Sequence, residues 1–112
     1  MTDVQIDVQP GGGTVLRLQG RIDFLSSADT KRRLAEAVAS GLRRLVVDLD
    51  EVTFIDSSGL GALIGGLKAA RQAGGDLRIA RPPEQATVAL KLTSLDRVFR
   101  IYGTVEEALA DF

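Results

Sequence analysis

Apolar and polar residues alternate from the start of the chain. Val4, Ile6 and Val8 interleave with Asp3, Gln5, Asp7 and Gln9, the two-residue period of a half-buried strand. Pro10-Gly11-Gly12-Gly13 breaks the pattern, and Thr14 to Gln19 resumes it with Val15-Leu16 and Leu18, so two strands joined by a glycine-rich turn are predicted. After Gly20, Arg21-Ile22-Asp23-Phe24-Leu25 leads to Ser26, a candidate N-cap. Ala28, Leu34, Ala35 and Val38 then recur at helical spacing as far as Gly41. Leu45-Val46-Val47-Asp48-Leu49 is nearly continuous and β-branched, as in a strand covered on both faces. Val52 to Ile55 runs into Asp56-Ser57-Ser58-Gly59, after which Leu60, Leu63, Ile64, Leu67 and Ala70 form one stripe of a helix ending near Gly74-Gly75.

The second half repeats the rhythm. Leu77-Arg78-Ile79-Ala80 reads as a strand halted by Pro82-Pro83, followed by a helix from about Glu84 to Leu92 and a short strand over Val98 to Tyr102. Thr104-Val105-Glu106-Glu107 has capping-box spacing and starts a last helix that turns Val105, Ala108 and Leu109 inward. The order ββαβαβαβα predicts a single α/β domain spanning residues 1–112, with a mixed sheet of four to five strands packed with about four helices. No repeat or linker divides it.

Composition narrows the function. At 112 residues one core suffices, and 45% hydrophobic with 26% charged residues is ordinary for a folded domain. The 14 basic and 15 acidic residues nearly cancel, which removes the electrostatic footprint of a nucleic-acid binder. Leu60 to Leu67 is too short and too glycine-interrupted to span a membrane, and Met1-Thr2-Asp3-Val4 does not resemble a secretory signal, so a cytoplasmic protein is expected. Without histidine or cysteine, Ser-His triads, thiolate nucleophiles and most zinc sites are ruled out, and no cofactor is expected. Carboxylates, hydroxyls and Tyr102 leave an enzyme formally open. Solubility and helix capping account for most of the acids, and a binding module is the expected class.

Asp56-Ser57-Ser58-Gly59 concentrates hydroxyls and a carboxylate at a predicted strand-to-helix junction, where the first helical N–H groups need acceptors. Capping alone accounts for such residues, with Ser57 the better placed to cap and Asp56 complementing the positive helix end. The same physics would let the domain tolerate a phosphoserine there while its surface changes sharply, despite repulsion from Asp56.

Three stretches carry a resemblance: Gly20-Arg21-Ile22-Asp23, Val52 to Gly61, and Leu92 to Tyr102 with Glu106-Glu107-Ala108-Leu109. In that order and spacing the chain resembles the STAS domain in its stand-alone form, the bacterial anti-sigma factor antagonist. The resemblance implies a partner switch. The unphosphorylated form would bind an anti-sigma factor that is also a serine kinase, freeing the sigma factor. Phosphorylation of the second serine, Ser58, would end the complex, and a metal-dependent serine phosphatase would reverse it. Asp23, Asp56, Ser57, Ser58 and Gly59 would then form the docking surface. Arg21 and Ser94 depart from the family's usual acid and glycine without touching the acceptor.

Two apolar features bear on the partner surface. Phe24-Leu25 reads equally as core or as contact. Opposite the leucine stripe, Gly61, Ala62, Gly65, Gly66 and Ala69 form a small-residue face, expected to favour a partner helix because the leucines already fill the core side. The rival readings are a STAS subunit of another sensory or lipid-trafficking complex, and a small phosphoryl-transfer enzyme using Asp23, Asp56 and Ser58. The enzyme reading lacks a phosphate loop and a histidine base.

Overall fold

The alternating amino-terminal residues form β1 (Asp3–Val8), paired antiparallel with β2 (Thr14–Ile22). The computed structural model describes residues 3–9 and 12–112. Met1-Thr2 and the Pro10-Gly11 half of the predicted turn lie outside the described residues. Next come α1 (Ser27–Ala39), β3 (Arg44–Ile55), α2 (Ser57–Gln72), β4 (Asp76–Ala80), α3 (Glu84–Leu92), a 3-10 turn over Leu95–Arg97, β5 (Ile101–Tyr102) and α4 (Val105–Ala110). The five strands lie side by side in chain order, and β2 to β5 run parallel. The expected mixed sheet with four helices is present at its upper strand count.

Both faces of the sheet are covered, unequally. The larger core places Leu16, Leu18, Leu45, Val47, Leu77 and Ile79 of the strands under Leu34 of α1, Leu63 and Leu67 of α2, and Leu90 of α3. On the other face Val15, Val46 and Ala80 meet Val105 and Ala108 of α4, with Tyr102, Leu109 and Phe112 packed around them. This explains the nearly continuous apolar run at Leu45 to Leu49, which is buried on both faces. The break in that run is Asp48, buried among them and met by Arg81, whose Nε lies 3.1 Å and Nη2 2.5 Å from its two carboxylate oxygens. Arg81 holds this fork from a left-handed backbone (φ 53°) in the turn after β4.

Several predicted boundaries move. The second strand continues past Gln19 through Ile22, and Leu45–Leu49 and Val52–Ile55 are one strand, because β2 and β3 pair along this whole length. The strand expected over Val98 to Tyr102 shrinks to two residues, since Leu95–Arg97 takes a 3-10 turn in which the Leu95 carbonyl accepts from both the Val98 and the Phe99 amides. Ser26 does flank the first helix, but it makes no capping bond. Its hydroxyl donates to the Arg21 carbonyl at 2.8 Å and accepts from the Asp23 amide at 3.0 Å, tying the loop and not the helix. Thr104 caps α4 as predicted, accepting from the Glu107 amide at 3.1 Å.

Candidate functional site

The junction between β3 and α2 is built by the residues at its two ends. Asp56 keeps an extended backbone (φ −108°, ψ −173°) and is the N-cap of α2, its Oδ1 accepting from the Gly59 amide at 2.9 Å. This corrects the expectation that Ser57 caps: Ser57 is already the first helical residue, one position too late. The other Asp56 oxygen accepts from the Phe24 amide at 3.1 Å, so one carboxylate ties the loop after β2 to the start of α2. Gly59 shows how close that approach is. A β-carbon there would lie 2.2 Å from the Ile22 carbonyl oxygen, so only glycine fits.

With Asp56 capping and Gly59 buried in the contact, Ser57 and Ser58 have no structural bond to make. Among the described residues no hydrogen bond involves either hydroxyl; Ser57 is exposed and Ser58 half-buried. Asp23 stands in the facing loop, which the structure brings beside the helix start, and it is half-buried there. Partial burial opposes its ionisation, yet the Arg21 guanidinium and the Leu25 and Ser26 amides outweigh this and hold its carboxyl below the ordinary value of 3.8. Between Asp23 and Ser26 the loop carries Phe24 and Leu25 at 78% and 88% exposure. Of the two readings of this pair, core packing is excluded. The two large apolar side chains instead form an exposed tip beside the open helix end.

The small-residue face of α2 is divided in a way its sequence does not reveal. Ala62 and Gly66 are buried, and a β-carbon at Gly66 would meet Leu34 at 2.8 Å, so this part of the face packs against α1 and is not left for a partner. Gly65 is crossed by the Lys31 side chain, whose Cε would lie 2.9 Å from an added β-carbon. Of the three glycines on this face, Gly61 alone has open space where a β-carbon would stand. Between α1 and α2 remains a shallow depression of about 290 Å³, lined by Ser27, Ala28, Lys31, Ser58, Gly61 and Ala62.

Gln85 was missed. From the first turn of α3 its side-chain amide accepts from the Ile55 N–H at 2.9 Å and donates to the Ile55 carbonyl at 2.8 Å, completing the last rung of β3 immediately before Asp56. A lone glutamine thirty positions from its partner gives no periodic or motif signal. No cluster of carboxylates among the described residues could hold a metal ion, and no helix is long and apolar enough to cross a membrane.

The STAS domain model matches residues 3–108. The anti-sigma-F factor antagonist RsfB of Mycobacterium tuberculosis is 32% identical over 98 residues, covering 88% of this chain and 80% of that one. The crystal structure of an anti-sigma factor antagonist from Mycobacterium paratuberculosis superposes with a TM-score of 0.87 at 26% identity, covering 99% of this chain and 93% of that one. The Bacillus cell fate determinant SpoIIAA in its phosphorylated form shares the fold, with a TM-score of 0.74 at 20% identity over 97% of this chain and 98% of that one.

Proposed function

Since the chain belongs to the STAS domain family, we propose that it is an anti-sigma factor antagonist, switched by phosphate on Ser58. The observation that carries this reading is the division of labour in Asp56-Ser57-Ser58-Gly59. Asp56 and Gly59 satisfy the helix end and the close packing, so both hydroxyls stand free beside the exposed Phe24-Leu25 tip. The relative from M. tuberculosis, named for antagonism of an anti-sigma factor, supports the partner class.

In this reading the unphosphorylated domain lays Phe24, Leu25, Asp23, Ser57, Ser58 and Gly61 against the anti-sigma factor, itself a serine kinase. The chain is substrate and not catalyst. Ser58 Oγ bonds to the γ-phosphorus of ATP as the bond from that phosphorus to the bridging oxygen of ADP breaks, and the hydroxyl proton passes to a base on the kinase. The phosphatase restores the serine with water and releases inorganic phosphate. A dianion on Ser58 beside an apolar tip would have to be desolvated if the partner surface closed over it, and this ends the complex.

The test pairs phosphopeptide mapping, after incubation with ATP, magnesium and the cognate anti-sigma factor, with calorimetry on variants. Phosphate is expected on Ser58. Affinity for the anti-sigma factor is expected to fall from Ser58→Ala through Ser58→Asp to the phosphorylated chain, with Ser58→Asp weaker than native by about 100-fold. Equal affinities for all three forms, with intact circular dichroism, would reduce Ser58 to a surface residue.

A further inference from the structure

We propose that Lys31 is the counter-ion of the Ser58 phosphate, holding the phosphomonoester in the depression between α1 and α2. This rests on the reading of Ser58 given above and concerns how the domain accommodates the modified state. Three observations point to Lys31. It lines the same depression as Ser58, and among the six lining residues it is the one cation, with no carboxylate beside it. Its aliphatic stem lies over Gly65, where the missing side chain lets Cγ, Cδ and Cε settle against α2 and directs the lysine along that helix. Its ammonium makes no hydrogen bond or ion pair among the described residues, whereas its neighbour Arg32 is held by Asp29 and Glu36.

The surrounding charges leave this role to Lys31. On α1, Asp29 is engaged by Arg32. In the facing loop Arg21 lies over the Phe54 ring and against Asp23, and the Asp23 carboxylate accepts from the Leu25 amide. Asp56, at the head of α2, spends both oxygens on the Phe24 and Gly59 amides. A phosphate entering the depression therefore meets one uncommitted charge, the Lys31 ammonium, with the Ser27 hydroxyl at the same rim. Lysine suits this task, because a compact cation on a flexible stem can follow a tetrahedral oxyanion. It draws the new charge toward the domain's own helix pair and reconciles a folded domain with a surface closed to its partner.

The test uses the full chain synthesised with phosphoserine at position 58, so that no kinase is required and a negative result concerns Lys31 alone. Failure of the functional reading would appear separately, as absence of phosphate on Ser58 in the kinase incubation. The readout is the 31P NMR titration of the phosphate between pH 4 and 8. Lys31→Gln is expected to move the second ionisation upward by about half a pH unit relative to native, while Lys31→Arg retains the native curve. The difference is expected to shrink as salt is raised from 0.05 to about 1 M, because the pair is accessible to solvent. Lys68→Gln, which removes a charge ten residues along α2 or about 15 Å away, is the control. Coincident curves for native and Lys31→Gln, or an equal displacement by Lys68→Gln, overturn the proposal.

Discussion

At the scale of single residues, the Asp56 to Gly59 motif separates into groups that hold the backbone and groups that leave it alone. Gly59 belongs to the first kind. Gly59→Ala drives a methyl into the Ile22 carbonyl, and a loss of about 2 kcal/mol in urea unfolding is expected, against the gain of an ordinary Gly→Ala change in a helix. Ser57→Ala removes a hydroxyl that neither caps nor bonds, so its melting temperature should match the native one while Ser58 still accepts phosphate. Asp23 is an anchor as well as a candidate contact: Asp23→Ala leaves the Leu25 amide without its acceptor and is expected to lower Tm by a few degrees. Its carboxyl ionises more readily folded than unfolded, so its contribution is present above the ordinary value of 3.8 and is lost as pH falls through the lower folded value. Between pH 5 and 2, Asp23→Asn should lose less stability than the native protein, a comparison that acid titration by circular dichroism makes directly.

Among the elements, what was legible in the sequence is what repeats. The leucine stripe of α2 follows a burial period of 3.6 residues and the continuous run of β3 its cover on both faces, while β1 forms where its alternation predicts although Ile6 and Val8 stay exposed. Illegible were contacts between distant positions that no period encodes. The small face of α2 reads as a stripe in sequence, yet Leu34 of α1 claims its middle. Val98 to Tyr102 has strand composition, but the 3-10 turn uses up its first residues. At the site, the serine pair at the start of α2 and the facing Gly20 to Asp23 segment were legible from motif resemblance, while the true cap and the Gln85 clamp required the folded backbone. The turn after β4 makes the same point through charge. Asp48→Ala removes the anchor of a left-handed arginine as well as a buried ion pair, and about 2 kcal/mol of stability should be lost, with Arg81→Gly losing less because it also relieves the backbone. A double-mutant cycle in urea measures that coupling.

For the molecule as a whole, the proposed switch is assembled from four places: the loop after β2, the end of β3, the start of α2 and the first turn of α3. Phosphorylation is therefore expected to report on the integrity of the whole α/β unit. Gln85→Leu, which removes both bonds to Ile55, should reduce the rate at which the kinase modifies Ser58 and unprotect the Ile55 amide in hydrogen exchange, while distant core amides stay protected. The order of strands across the sheet, identical to their order along the chain, bears on how the protein is made. As the polypeptide leaves the ribosome, the β1–β2 hairpin can form first, and each later helix and strand then docks on the edge just completed, so no strand waits for a central partner still to be synthesised. Synthesis and folding can thus advance together. The junction that bears Ser58 becomes complete only when Gln85 has emerged, and chains arrested before that point would carry Ser58 on a helix whose entry is not yet clamped.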